Sequence, residues 1–333
     1  MKKQIFLFAL LLGSFVIFAQ QQIATLQHGD SISMFYGTNA LIQAHTAADN
    51  GDIITLSSGT FDTCRITKAI TLRGAGAMSD SNNLAPTLFN SLTVGVYTDN
   101  DSTGRFTMEG ILVNQLTLYP CTSPKFNRCI FMQVNTTKYS NSLQLVVNPQ
   151  FINCVIKNYY NSKRYCKNSH FVNSVVYYVY EDNTTTFLNS IARLNSSIYK
   201  EINAYNSILV FPYPSGSIVS GGIYQNNILI TTQNSYSDSV AFPGIYNYTN
   251  ERYRAIRSVF ENWDGTFHYD NVYTLKDSIA NGFRGSDGSE VGIYGGVIPF
   301  SLKPSYAYIK KCNVANRSTA DGKLSVNIEV ITE

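Results

Sequence analysis

The sequence predicts an all-β chain wound as a right-handed parallel β-helix, a solenoid of short stacked strands. A six-residue phrase predicts it first: aromatic, any residue, Asn, small polar, Ile or Val, apolar. It reads Phe151-Ile152-Asn153-Cys154-Val155-Ile156, and returns from Phe171, Phe187, Ala204 and Tyr224. An imperfect copy at Phe126-Asn127-Arg128-Cys129-Ile130-Phe131 precedes them, with Arg in place of Asn, and a weak one follows at Ala255-Ile256-Arg257-Ser258-Val259-Phe260. Copies from Phe126 to Tyr224 start 25, 20, 16, 17 and 20 residues apart. That spacing is shorter than the roughly 33 to 47 residues of helical solenoid repeats. The second observation is composition within the repeats: Ile, Val, Tyr, Phe and Thr suit a pleated surface. The alternative is a β-sandwich, which has no need of identical phrases in register.

Stacking explains each position of the phrase. Coils of about 20 residues hold two or three short strands and lie about 4.8 Å apart. The Phe/Tyr position then forms an internal stack and the Ile/Val position an aliphatic one. Asn153, Asn173, Asn189, Asn206 and Asn226 form a ladder at a bend. Asn tolerates left-handed backbone there, and stacked amides can bond one another. Parallel strands connected in this way wind right-handed.

The chain opens with Lys2 and Lys3 and an apolar run from Ile5 to Ala19, which reads as a secretory signal peptide cut near Ala19 or Gln20. A retained membrane anchor is the alternative, although the run is short for a bilayer span. No Cys stands at the cleavage region and no second apolar run is long enough to span. The expected division is a signal over 1–20 and one domain over 21–333. Within that domain, 39–76 form the cap and first coil, 106–260 the central coils and 261–333 the closing region.

Asn39 to Ala48 has an N-cap residue type and helical spacing. Gly51-Asp52-Ile53-Ile54-Thr55-Leu56, Gly59-Thr60-Phe61 and Ile66-Thr67-Lys68-Ala69-Ile70-Thr71-Leu72-Arg73-Gly74-Ala75-Gly76 follow. This order resembles the opening of right-handed parallel β-helix proteins of the pectin-lyase-like superfamily. The resemblance implies that the helix caps the open end, which otherwise exposes apolar interior and unpaired edges. His45 is expected on the cap surface. Weaker coils are expected at Leu88 to Val94 and Phe106 to Val113. Thr231 to Arg254 reads as a loop leaving the solenoid. Phe260 to Gly265 and Gly285 to Gly296 resemble the terminal segments of secreted β-helix proteins of Bacteroidetes-type bacteria. Leu324 to Val330 alternates as a strand expected to seal the far end.

Charged residues make up 14% of the chain and the net charge is +3, too weak an imbalance to point to nucleic acid. Sparse charge with abundant Asn, Ser, Thr and Tyr fits an extracellular surface built from β-structure; with the bacterial look of the signal segment, the expectation is a secreted, periplasmic or outer-surface bacterial protein and a monomer. Six cysteines show no CxxC or Cys/His metal spacing. Cys129 and Cys154 share one repeat position. Parallel neighbours seldom present a disulfide torsion, so half-buried free thiols are the favoured state over a bridge.

The family resemblance implies that an enzyme on this fold would carry clustered Asp, Lys or Arg on an outward strand face, acting as a calcium-assisted lyase or an Asp-based hydrolase. The repeat strands here hold Tyr, Asn, Ser and Val instead, which weighs against catalysis. Two constellations remain. Lys157, Tyr160, Tyr178, Tyr180, Arg193 and Tyr199 form an aromatic and basic set suited to stacking on sugar rings. The bland reading is strand-favouring surface Tyr with scattered charge. Asp264, Asp270 and Asp287 lie in turns, with His268 and Glu290 near, as weak calcium candidates; their spacing matches no EF-hand loop. No other cofactor is indicated. The leading expectation is a non-catalytic surface protein binding carbohydrate along a Tyr-rich face. The alternatives are a polysaccharide lyase or glycoside hydrolase with an unfamiliar site, and a structural adhesin-like protein.

Overall fold

The computed structural model describes residues 22–79, 85–95, 106–138, 144–160, 164–180, 184–194, 199–200, 202–211, 219–220, 222–231, 251–253, 255–314, 321–323 and 326–331. The signal segment therefore lies outside the described residues. The chain is predominantly β, and two long sheets, each of eleven strands, dominate it. Apart from its first two strands, the first sheet runs in chain order and in parallel from Ile53–Leu56 through Gln150–Ile152 to Tyr224–Gln225. The second runs in the same order from Gly59–Phe61 to Glu251–Tyr253. From Ile53 onward the chain passes back and forth between the two sheets, with Gly59–Phe61 and Cys64–Ile66 both in the second, and a small third sheet joins Cys121–Thr122, Val146–Val147 and Cys166–Lys167.

The phrase sets this register. Phe126, Phe151, Phe171 and Phe187 are direct neighbours across the first sheet and fully buried. Their rings stack with centroids 5.0 to 5.1 Å apart and planes within 16°. Met108 extends the row on one side, Ala204 and Tyr224 on the other. Each stacked pair contributes about 0.5–1.5 kcal/mol beyond its buried area. At the Asn position φ lies between 45° and 54° in all five strong copies, and Arg128 takes φ 51° in the imperfect one. Asn visits this left-handed region most readily among residues with a side chain.

Two positions of the phrase depart from expectation, and the aliphatic position forms its expected row on a face that the sequence left open. The Ile/Val position does form an aliphatic row, Ile130, Val155, Val175, Ile191, Ile208 and Ile228, but on the outer face of the second sheet. The inner face takes the next residue: Phe131, Ile156, Val176, Ala192, Leu209 and Leu229. A sheet apolar on both faces gives no alternation from which to tell inside from outside. The Asn amides do not bond one another among the described residues. The ladder is one residue later. Ser174 Oγ accepts from the amide of Cys154 and donates to the carbonyls of Phe151 and Val172. Ser190 repeats the pattern, and Ser207 and Asn227 continue it. Cys129 and Cys154 belong to this row, fully rather than half buried, as free thiols facing backbone carbonyls.

The front end is closed by helix α1, Ala40–Ala47, which buries Leu41 and Ala44 against the core. Asn39 accepts from Gln43 Nε2 instead of capping the backbone. The helix C-terminus is held by Lys68, whose Nζ donates to the carbonyls of His45, Thr46 and Ala48. His45 is buried, not on the cap surface, and its Nε2 accepts from the amide of Thr67. A hairpin of Ile23–His28 and Ser31–Tyr36 adds two antiparallel strands at the edge of the first sheet.

After the last strong phrase, Glu251–Tyr253 pairs in parallel with Ile228 to Ile230, so one more strand joins the second sheet within the stretch read as a departing loop. The weak copy at Ala255 is a short helix, α2, Ile256–Val259. The chain then returns along the outer face towards the first strands. Gly292 meets Asn206, Ile293 meets Asn173, Ser305 meets Glu109 and Tyr306 meets Gly74. Val326–Ile331 pairs with Tyr308–Val314 in a separate antiparallel sheet rather than with the last strand of either large one.

Candidate functional site

Strands Thr87–Val94, Leu112–Leu118, Ile130–Thr136, Val155–Tyr160 and Val175–Tyr180 form the middle of the second sheet. Each is bent, so that two consecutive residues near its middle point outward. On Val175–Tyr180, Val176 and Val179 enter the inner core while Tyr177 and Tyr178 both lie on the outer face.

The returning segment covers one side of that face. Trp263 lies edge-on to Tyr177, Phe260 and Tyr273, with Phe267 4.7 Å from Tyr177. The Tyr177 hydroxyl is the hub: it donates to the carbonyl of Thr266 and accepts from Trp263 Nε1 and Asn271 Nδ2. Burial pushes this phenol up to about 12. The Asn row is a second line of attachment. Asn173 donates to the carbonyls of Ile293 and Gly295, and Asn206 Oδ1 accepts from the amide and hydroxyl of Ser286. Gly296 packs on Asn189 so closely that an added Cβ would lie 2.0 Å from its Nδ2.

Beside this covered strip the structure brings together five of the six aromatic and basic residues singled out from sequence. Tyr160 and Tyr180 are register partners whose rings lie parallel, 4.6 Å apart at 10°. Tyr178 stands 6.1 Å from Tyr180, tilted by 34°. Arg193 lies over the Tyr178 ring at 5.0 Å, and Lys157 lies over Phe267 at 5.5 Å. Each cation–π contact stabilises by about 0.5–1 kcal/mol at such partly exposed sites. The side chain of Tyr199 lies outside the described residues. Tyr160 is 38% exposed and presents its unstacked face towards the preceding strand.

Sequence reasoning missed what lies on that preceding side. In register with Tyr178 stand Asn158, Gln133, Gln115 and Ser91; in register with Tyr160 stand Asn135, Thr117 and Thr93. These two rows are uncharged amides and hydroxyls, and all are at least partly exposed. Polar residues stand three and five positions after Leu88, Leu112 and Ile130, but the copies at Ile191 and Ile208 have Leu194 and Phe211 at the first of these places, so the phrase itself does not announce the rows. None of the five strands carries Asp, Glu or His.

The acidic candidates are apart. Asp264 Oδ1 accepts from the amide of Thr266, and Asp287 Oδ1 from the amide and hydroxyl of Ser289, so each carboxylate shapes its own turn. Those bonds hold both acids below the ordinary carboxylate range. Asp270 is exposed. Among the described residues no group of three or more His, Cys, Asp and Glu gathers to hold a metal ion, and no helix is long and apolar enough to cross a membrane. Comparison with protein-family models, with curated proteins and with solved structures finds no match for this chain.

Proposed function

We propose that the chain is a right-handed parallel β-helix of the pectin-lyase-like type, secreted or displayed at a bacterial surface, that binds carbohydrate without cleaving it. The passage of the chain back and forth between two parallel sheets supports the fold reading. One observation carries the functional reading: an exposed Tyr stack, Tyr160 on Tyr180, on a strand face that bears amides and hydroxyls and no Asp, Glu or His for acid and base work in glycoside cleavage.

A panel of immobilised glycans probed with the full chain tests the reading. Binding that is lost in Tyr160→Ala and Tyr180→Ala supports it. New reducing ends or unsaturated products on incubation with polysaccharide would establish a lyase or hydrolase instead. Absence of binding to every glycan would leave the structural adhesin-like role.

A further inference from the structure

We infer that the ligand is a linear, uncharged polysaccharide lying across the strands of the second sheet, along the amide and hydroxyl rows, with one sugar ring on the open face of Tyr160. The inference rests on the carbohydrate reading above and adds the ligand's charge, direction and extent.

Direction comes from register. Gln115, Gln133 and Asn158 are successive neighbours on parallel strands, as are Thr117, Asn135 and Tyr160. Equivalent groups therefore repeat about every 4.8 Å across the strands. From Ser91 to Tyr178 there are four such steps, a strip about 19 Å long. A polymer that repeats its hydroxyls can meet such a strip over several units, whereas a single sugar meets only one step.

Charge comes from the side chains on the strip. Amides and hydroxyls both donate and accept, which suits alcohol groups. Three cations flank the strip and each lies against a ring: Lys157 on Phe267, three residues back from Tyr160 on its strand; Arg193 on Tyr178, two strands on; and Arg65, the register partner of Thr93, on Tyr119 at 5.8 Å. An anionic polymer over Gln115, Gln133, Thr117 and Asn135, the middle of the strip, would be desolvated with no cation in either row there. The aromatic platform is single because the other face of Tyr160 is occupied by Tyr180. Stacking therefore anchors one end, and the rows set the run.

The test is affinity electrophoresis and calorimetry of the full chain with a soluble neutral glucan, a neutral mannan and a polyuronate, together with length series of their oligosaccharides. Expected are binding of a neutral polymer, affinity that rises with oligosaccharide length, and a loss of about tenfold in Gln115→Ala and in Thr117→Val. Thr117→Val keeps shape and strand propensity, and unchanged thermal unfolding shows that either variant is folded. Gln225→Ala, on the first sheet, should bind as the parent does. Binding of polyuronate alone, lost in Arg193→Ala and unmoved by Gln115→Ala, would overturn the inference while leaving a carbohydrate ligand in place. Neutral-glycan binding unaffected by both row variants would overturn it equally. Binding of no glycan would remove the carbohydrate reading and this inference with it.

Discussion

Asn173 donates its amide to two carbonyls of the returning segment, Ile293 at 2.9 Å and Gly295 at 2.7 Å, from a backbone held at φ 45°. One side chain thus serves the bend of its own repeat and the attachment of residues 120 positions away. Asn173→Ala should destabilise by about 2–4 kcal/mol, combining left-handed strain with two carbonyls left without their donor. Asn173→Gly relieves the strain and should lose only about 1–3 kcal/mol. Denaturant titration of both variants checks this; equal losses would show that one of the two roles is absent.

Phe171 is stacked on both sides, by Phe151 and Phe187. Phe171→Ala should lose about 3–5 kcal/mol, because neighbouring repeats hold the strands apart and limit collapse of the cavity. Phe171→Leu should lose less, about 1–3 kcal/mol, keeping volume but not the ring stack. Thermal unfolding ranks the two.

His45 is kept neutral by burial and, secondarily, by the Lys68 charge, which bring its pKa down to about 4 from 6.5. Between those values the unfolded chain binds a proton that the folded chain refuses. Stability is therefore fully present above about pH 6.5 and falls as the pH drops towards about 4. His45→Gln keeps an acceptor for the Thr67 amide and cannot titrate. Its stability should be flatter with pH over that window than the parent's, as read from denaturation midpoints at several pH values.

Burial pushes the thiols of Cys64 and Cys166 up to about 12 and about 11, and that of Cys129 well above its ordinary value. At pH 8 these three should resist alkylation in the folded chain and react promptly once it is unfolded in denaturant, as followed peptide by peptide by mass spectrometry. Fast labelling of Cys129 under native conditions would contradict its place in the buried ladder.

Tyr177→Phe removes the hydroxyl that gathers Trp263, Asn271 and Thr266. Three partners lose their common bond, at a cost of about 1–3 kcal/mol. The loss should be local: hydrogen exchange should quicken over residues 260–275 and stay unchanged over the Phe stack.

Much of this architecture was legible because repetition leaves a mark at every copy. Phe171 announces an interior row and Asn173 a left-handed bend, since few other residues satisfy those positions. The outer face was less legible. Val175 and Val176 are both β-branched and both buried, one under the returning segment and one in the interior, so no alternation separates them. His45 and Lys68 lie 23 residues apart, and nothing local to either shows that they close the same helix. Of the candidate site, the Tyr side was legible from the tyrosines themselves. The Gln115, Gln133 and Asn158 row was not, because an isolated Gln or Asn on a strand carries no signal until register places three in line.

Arg128 stands where the other copies have Asn, pairs with Glu109 at 3.0 Å, and Glu109 in turn accepts from the amide and hydroxyl of Ser305. A segment gripping a periodic lattice of near-identical amides is translationally degenerate: sliding by one repeat recovers most of its contacts. The Arg128–Glu109 pair stands at a single rung of that lattice, and moving Ser305 elsewhere would take two donors from the Glu109 carboxylate and leave it to Arg128. The irregular copy thus works as an index mark, giving a repetitive surface one origin from which the rest of the chain is measured.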